Sequence, residues 1–516
     1  MADIGIRYID TRGMVKAPVS FSDALLQGLA PGGGLFVPEV VPQAALGSIL
    51  ALAELPYAQR AARVYSWFGV DFTDDDLARL MNTAYADNFD TPAVCPVEQV
   101  GDTYVLELWH GPTSAFKDMA LQCLPVFFSE TVSRRQAAGA AQNDYLIAVA
   151  TSGDTGKAAL QGFASRDHIS IVVYYPDGGV SDIQYKQMAT QVGENVRVFG
   201  VRGNFDDCQT GVKRMFSDAD FAERLAGEHH TALSSANSIN WGRLLPQVVY
   251  YLSAYAQMTA DGRVAAGEPI DVCVPTGNFG NILACWYAKQ VGAPIEHIVC
   301  ASNENRVLTD FLETGKYTVA GRDFVLTPSP SMDILVSSNL ERQLFELTGR
   351  DAARISGWME DLGGKGVFSV DEATFARLRR EYRCGSVSNA ECLETIRAVD
   401  AEHGYLLDPH TAVAWAVAQR RRSANPMLVA STAHWAKFGA DVYRALSGVA
   451  AGEALPPAVA DLTGPALNRA VLGLRGGRGS IPPALDALDE TPIRFTQVID
   501  GNVDALEASV EAFLAR

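Results

Sequence analysis

Apolar or β-branched runs recur through the middle of this chain. Each is closed by a Gly, Ser or Asn turn that usually leads into a helical pattern. The runs cover residues 145–150, 169–175, 196–201, 271–275, 295–301 and 427–430. A strand that is apolar on both faces must be covered on both, which selects a mostly parallel sheet flanked by helices. The rhythm therefore predicts α/β architecture. In open sheets of this kind ligands bind beyond the carboxyl ends of the strands, so the turns are where chemistry is expected.

The rhythm does not cover the ends. Residues 1–95 hold a short strand-like start, a Gly-rich turn at Gly32, Gly33 and Gly34, and two or more helices. Thr73 followed by Asp74, Asp75 and Asp76 lacks the glycine and closing glutamate of a calcium loop. It reads as a helix cap with acids in the first turn, and no metal is expected. Beyond about residue 450 the chain is rich in Gly, Pro and Ala, which predicts a loop-rich extension ending in a helix over 503–514. The GGRG stretch within it follows no strand and reads as a loop, not a phosphate site.

A length of 516 residues exceeds one ordinary domain. The net charge of −18 argues against nucleic acid, whose phosphates such a surface repels, yet leaves room for a small anion held by local donors. Eight cysteines without a C-x-x-C pair read as reduced thiols of a cytoplasmic protein. The N-terminus has no apolar core of a signal peptide, and no apolar run is long enough for a membrane span.

Five turns carry residues suited to chemistry. The first, 109–118, places Lys117 among small and aromatic residues after Gly111 and Pro112. A lysine that sheds its proton attacks carbonyls and forms Schiff bases, although most lysines are solvated surface groups. The segment is not a Walker A loop, because Phe116 replaces the second glycine and Asp118 the Mg²⁺-binding hydroxyl. The second turn sets Thr151, Ser152, Asp154 and Thr155 at a helix start, which suits either an anion or ordinary capping.

The third turn, Gly277, Asn278, Phe279, Gly280 and Asn281, allows close backbone approach to a compact phosphate ester. It lacks the dinucleotide fingerprint. The fourth joins Asn237, Ser238 and Arg243, suited to a phosphate or carboxylate, with a simple polar loop as the rival. The fifth holds Thr432 and His434, which could face a site, with a structural role as the reading the histidine favours on its own.

In order, HGPTSAFKD, TSGDTG, SANSIN and TGNFGN, with residues 8–13, 33–42, 331–334 and 408–412, resemble the threonine synthases of the long bacterial and fungal type. The resemblance runs over nearly the whole chain, and the ordered set is far more specific than any single match. It implies a fold type II, tryptophan-synthase-β-like pyridoxal phosphate enzyme. Two open α/β domains would carry an extra N-terminal domain and a C-terminal extension. The implied division is 1–95, an N-terminal domain; 96–130 with 236–450, a large cofactor-binding domain; 131–235, a small domain; and 451–516, the extension.

The same resemblance implies roles. Lys117 would carry pyridoxal 5′-phosphate as a Schiff base and act as the catalytic base. Gly277, Asn278, Phe279, Gly280 and Asn281 would cradle the cofactor's phosphate, Asp154 would lie near its phenolic oxygen, and Thr432 would meet its pyridine nitrogen. Thr151, Ser152, Thr155, Asn237, Ser238 and Arg243 would hold the substrate, O-phospho-L-homoserine. Two departures stand out. Asp154 replaces an asparagine common in the wider group, which leaves its charge open, and Trp435 replaces a proline common among relatives, which implies altered packing.

The expected reaction is γ-elimination of phosphate followed by addition of water at Cβ, giving L-threonine. Lys117 must be neutral for part of the cycle, so burial should lower its pKa. A monomer or weak homodimer is expected. The close alternatives are a serine/threonine dehydratase or a phosphohomoserine phospho-lyase. A non-catalytic anion-binding protein on the same fold is the alternative from another class.

Overall fold

Two parallel sheets organise the protein, seen in a computed structural model that describes residues 5–139, 143–151 and 153–515. The larger has six strands in the order Tyr382–Ser386, Ile295–Ser302, Ile270–Pro275, Met427–Ser431, Thr103–Glu107 and Val97–Val100. All neighbours in it are parallel except the last pair. The smaller sheet is parallel throughout, in the order Val498–Asp500, Val196–Arg202, Ile169–Pro176, Asp144–Ala150 and Thr231–Ser234. The predicted α/β class holds, and all six predicted runs are strands within a residue of the expected bounds.

The helix Trp241–Ala260 is apolar nearly all round and is buried along almost its whole length, as a helix inside a large core must be. It packs against Gly280–Val291, Tyr57–Trp67 and the short helix Lys117–Leu121. Its N-terminus emerges from the fourth turn, so the core itself fixes that turn. The N-terminal strand Tyr8–Asp10 pairs antiparallel with Phe36–Pro38, and the Tyr8 ring lies 5.7 Å from Trp241. Thr73 caps the helix Asp74–Tyr85 with its hydroxyl on the Asp76 amide at 3.2 Å, the capping that its acidic first turn predicts.

The C-terminal region has more structure than its composition suggests. Val503–Leu514 is helical as expected, but Gly464–Leu474 is also a helix and Val498–Asp500 is a strand. That strand joins the smaller sheet, with Val498 opposite Gly200. Tyr174 meets Ser509 at 2.8 Å, tying the last helix to the same sheet. All eight cysteines are buried free thiols. Among the described residues no helix is long and apolar enough to cross a membrane.

Candidate active site

The turns that follow strands of both sheets line one cleft of 1590 Å³. The first and fifth turns form a single unit. Leu108 N–H donates to Ser431 O at 3.0 Å, Phe116 N–H to Thr432 O at 2.8 Å, and His434 N–H to Ser114 O at 3.0 Å. This ladder sets Lys117 and Thr432 side by side on the cleft wall.

Lys117 is half-buried and lines the cleft, and its Nζ makes no hydrogen bond to the described residues. Burial pushes its pKa down to about 8 against the pull of Asp154, and the charges of Arg243 and Lys437 push the same way. A usable fraction of neutral amine therefore exists near neutral pH. Asp118, the next residue, folds back onto Thr113, accepting from its amide at 2.8 Å and its hydroxyl at 2.7 Å. Burial raises the Asp118 carboxyl to about 6 despite those bonds.

At the second turn Thr151 Oγ1 accepts from the amides of Gly153 and Gly156, each at 2.9 Å, and so caps the helix Asp154–Phe163. Its hydroxyl proton remains for the cleft, which Thr155 also lines. Ser152 lies outside the described residues. Gly153 has φ +132°, and a Cβ there would fall 2.2 Å from the Gln184 side chain, so only glycine fits.

Asp154 sits behind the wall instead of on it. Its Oδ1 lies 3.1 Å from Lys437 Nζ and accepts from Gln184 Nε2 at 3.0 Å, and Ser331 Oγ donates to Oδ2 at 3.3 Å. Burial alone would raise this carboxyl, but the ammonium groups of Lys437 and Lys117 outweigh it and hold it well below the usual carboxylate range. These surroundings favour the ionised form of Asp154, the charge that the sequence leaves open.

The third turn carries the cradle. Strand Ile270–Pro275 ends in a loop whose Phe279 has φ +62°, an uncommon left-handed conformation for a bulky residue and one that concentrates at functional sites. A Cβ on Gly277 would fall 2.7 Å from Ser331 O. The loop carbonyls point away from the cleft: Gly277 O accepts from Ser337 Oγ at 2.7 Å and Asn278 O from Asn339 N–H at 3.1 Å. Asn281 receives Tyr250 OH at 2.7 Å and Tyr251 OH at 2.5 Å, while its buried Nδ2 has no acceptor among the described residues. Gly277, Asn278, Phe279, Gly280 and Asn281 all line the cleft.

At the fourth turn Arg243 is buried, lines the cleft beside Asn237 and Ser238, and forms no ion pair among the described residues. Its Nη1 donates to Ala236 O at 2.8 Å, and its Nε has no partner there. Burial lowers it to about 10 with no carboxylate opposing. A buried guanidinium with unspent donors asks for an anion.

The structure favours a structural role for His434. It caps the short helix Trp435–Phe438, accepting from the Ala436 amide at 3.2 Å, and packs edge-on to Trp109. Burial and the nearby His110 push it down to about 3, so it stays neutral. Trp435 is buried behind the site against His434. Sequence reasoning missed Lys437, the buried cation that pairs with Asp154. A lysine in that strongly apolar segment was the available signal.

Taken together, these donors fit a phosphate ester that bears a carbonyl. Free loop amides face one end, an unbonded and weakly basic lysine stands beside them, and an unpaired arginine leaves room for a second anion.

The chain matches the family model described as "Threonine synthase N terminus" over residues 7–85. It matches "Pyridoxal-phosphate dependent enzyme" over 96–427 and "Threonine synthase, C-terminal" over 411–510. Threonine synthase of Pseudomonas aeruginosa is 40% identical over 463 residues, covering 89% of this chain and 93% of that one. Threonine synthase-like 1 of Macaca fascicularis is 40% identical over 508 residues, covering 96% of this chain, which spans only 66% of that longer protein. A crystal structure of pyridoxal-phosphate-bound threonine synthase from Brucella melitensis superposes with TM-score 0.85 at 37% identity, covering 99% of this chain and 100% of that one.

Proposed function

The chain belongs to the threonine synthases within the pyridoxal-phosphate dependent enzymes, and from that premise we propose that it is a carbon–oxygen lyase converting O-phospho-L-homoserine and water to L-threonine and phosphate. The observation that carries this reading is Arg243, a buried guanidinium without an acid partner among the described residues, in the same cleft as Lys117 and the glycine loop. A substrate that brings a second anionic group, as a phosphate ester does, fits that arrangement.

Gly277, Asn278, Phe279, Gly280 and Asn281 would hold the cofactor's phosphate, Lys117 its carbonyl carbon and Thr432 its pyridine nitrogen. When bound, pyridoxal phosphate supplies the electron sink that lets carbon next to the amino group lose a proton. Lys117 Nζ takes the proton from substrate Cα, which its lowered basicity permits at neutral pH. Loss of a proton from Cβ then expels phosphate from Cγ. Arg243, with Asn237, Ser238, Thr151, Ser152 and Thr155, binds that phosphate and balances its charge as it leaves. A proton arrives at Cγ, which becomes the methyl group, the hydroxyl of water adds at Cβ, and Lys117 returns a proton to Cα to complete L-threonine.

Thr432 offers a hydroxyl where a carboxylate would stabilise a protonated ring more strongly, and this restrains side reactions. Asp154, held by Lys437, sets a fixed negative charge behind Lys117. The buried free thiols suit a cytoplasmic enzyme of threonine biosynthesis. The four-part division given above is part of this reading, with the strand Val498–Asp500 of the extension joining the small domain's sheet. Product analysis tests the reading: threonine and phosphate in equal amounts support it, whereas 2-oxobutyrate and ammonia identify a lyase or dehydratase instead.

A further inference from the structure

Asn339 and Arg342 lie outside every motif discussed so far, and both are fully buried. The Asn339 carboxamide donates from Nδ2 to Ser238 O and to Asn278 O, each at 3.2 Å. One side chain thus bridges the fourth turn and the glycine loop. Its Oδ1 receives Arg342 Nη1 at 2.6 Å. Arg342 then donates from Nε to Phe36 O at 2.9 Å and from Nη2 to Ile239 O at 2.5 Å. Its guanidinium stands 5.8 Å from the Trp241 ring and makes no ion pair among the described residues, since Glu341 is taken by Arg12 and Thr11.

A buried cation facing only neutral oxygens is a poor way to fill a core, where a hydrophobic side chain would serve better. What the cation accomplishes is orientation. In a trans peptide the C=O and the following N–H point in opposite directions. Drawing the carbonyls of Asn278 and Ser238 into the protein turns the N–H groups of Phe279 and Ile239 the other way. Those two residues line the cleft, and their amides have no acceptor among the described residues.

We propose that Asn339 and Arg342 are positioning residues that fix the peptide planes of both loops together, aiming the Phe279 amide at one phosphate and the Ile239 amide at another. This rests on the reading that the cleft binds two phosphate groups, one on the cofactor and one on the substrate.

The test uses full-length holoenzyme carrying Asn339→Ala, Asn339→Asp or Arg342→Lys. Two quantities are measured: the rate of cofactor loss on dialysis, followed by its absorbance, and the dissociation constant for inorganic phosphate. Asn339→Asp keeps an acceptor for Arg342 but loses both side-chain donors to the loops, leaving only the main-chain N–H of residue 339 on Asn278 O. Each folded variant is expected to lose cofactor and to weaken phosphate binding together, by roughly tenfold, as removal of one or two such bonds implies. A role in packing alone would lower the melting temperature and leave both quantities unchanged. Should Asn339→Ala fail to fold, the two conservative variants decide. Folded variants within twofold of wild type on both quantities, or altered on only one, overturn the proposal. A wild-type protein that shows both binding behaviours but makes no threonine overturns the proposed function instead.

Discussion

Lys437 Nζ stands 3.1 Å from Asp154 Oδ1 with the side chains 0% and 3% exposed, so a buried ion pair underlies the cleft wall that carries Lys117. Lys437 also donates to Thr113 O at 2.8 Å and to Gln187 Oε1 at 3.0 Å. Its three partners come from the lysine turn, the helix Asp154–Phe163 and the helix Asp182–Ala189. One cation thereby joins segments belonging to the two sheets at the base of the cleft.

Lys437→Met leaves the Asp154 carboxylate buried without its nearest cation. The expected loss is about 3–5 kcal/mol of unfolding free energy, the usual result of removing one member of a buried pair. Adding Asp154→Asn should restore much of that loss. Urea unfolding of the two single variants and the double variant measures the coupling, and simple additivity would show that the pair is not coupled.

Arg243 behaves in the opposite sense. Its charge is buried without a carboxylate among the described residues, so Arg243→Leu should leave the cofactor-free protein as stable as wild type or more so. The same change should raise KM for phosphohomoserine by roughly tenfold to a hundredfold, the scale of a charge-assisted hydrogen bond. Denaturant melts and initial-rate kinetics check the two halves. A destabilised variant with unchanged KM would assign Arg243 to packing.

Lys117 gives a pH signature. Its folded-state pKa is lowered to about 8 from an ordinary 10.5, so above about 8 the unfolded chain binds more protons at this residue than the folded one. The penalty for burying Lys117 is fully present below pH 8 and fades as pH rises toward 10.5. Cofactor-free Lys117→Met should therefore be more stable than cofactor-free wild type at pH 7, with the gap closing across that window. Melting both proteins over pH 7 to 10.5 tests this, and a constant gap would contradict it.

What could be read in advance, and what could not, divides by the range of the interactions. The six interior strands are legible because a strand covered on both faces must be continuously apolar, and such a run shows in any short window. The cap at Thr73 is legible because its partner Asp76 is three residues away. Val498–Asp500 escapes because three residues carry too little pattern, and its strand character comes from pairing with Val196–Arg202. The turns that form the cleft were recognised as a set. The charge of Asp154 was not accessible, because it depends on Lys437, far away along the chain. Asn339 and Arg342 escape for the same reason: their partners are main-chain carbonyls, which leave no mark on the sequence.

The most direct test of the account is borohydride reduction of the holoenzyme followed by peptide mapping. The cleft is also lined by Lys213 and Lys437, and Lys157 is buried nearby, so the position of the label is informative. Lys437 is engaged by Asp154, and Lys157 Nζ by Gln191 at 2.6 Å, whereas Lys117 Nζ has no hydrogen-bond partner among the described residues. The reduced cofactor is expected on the peptide containing Lys117 and on no other. Label at another lysine, or no label on protein with bound cofactor, would contradict it.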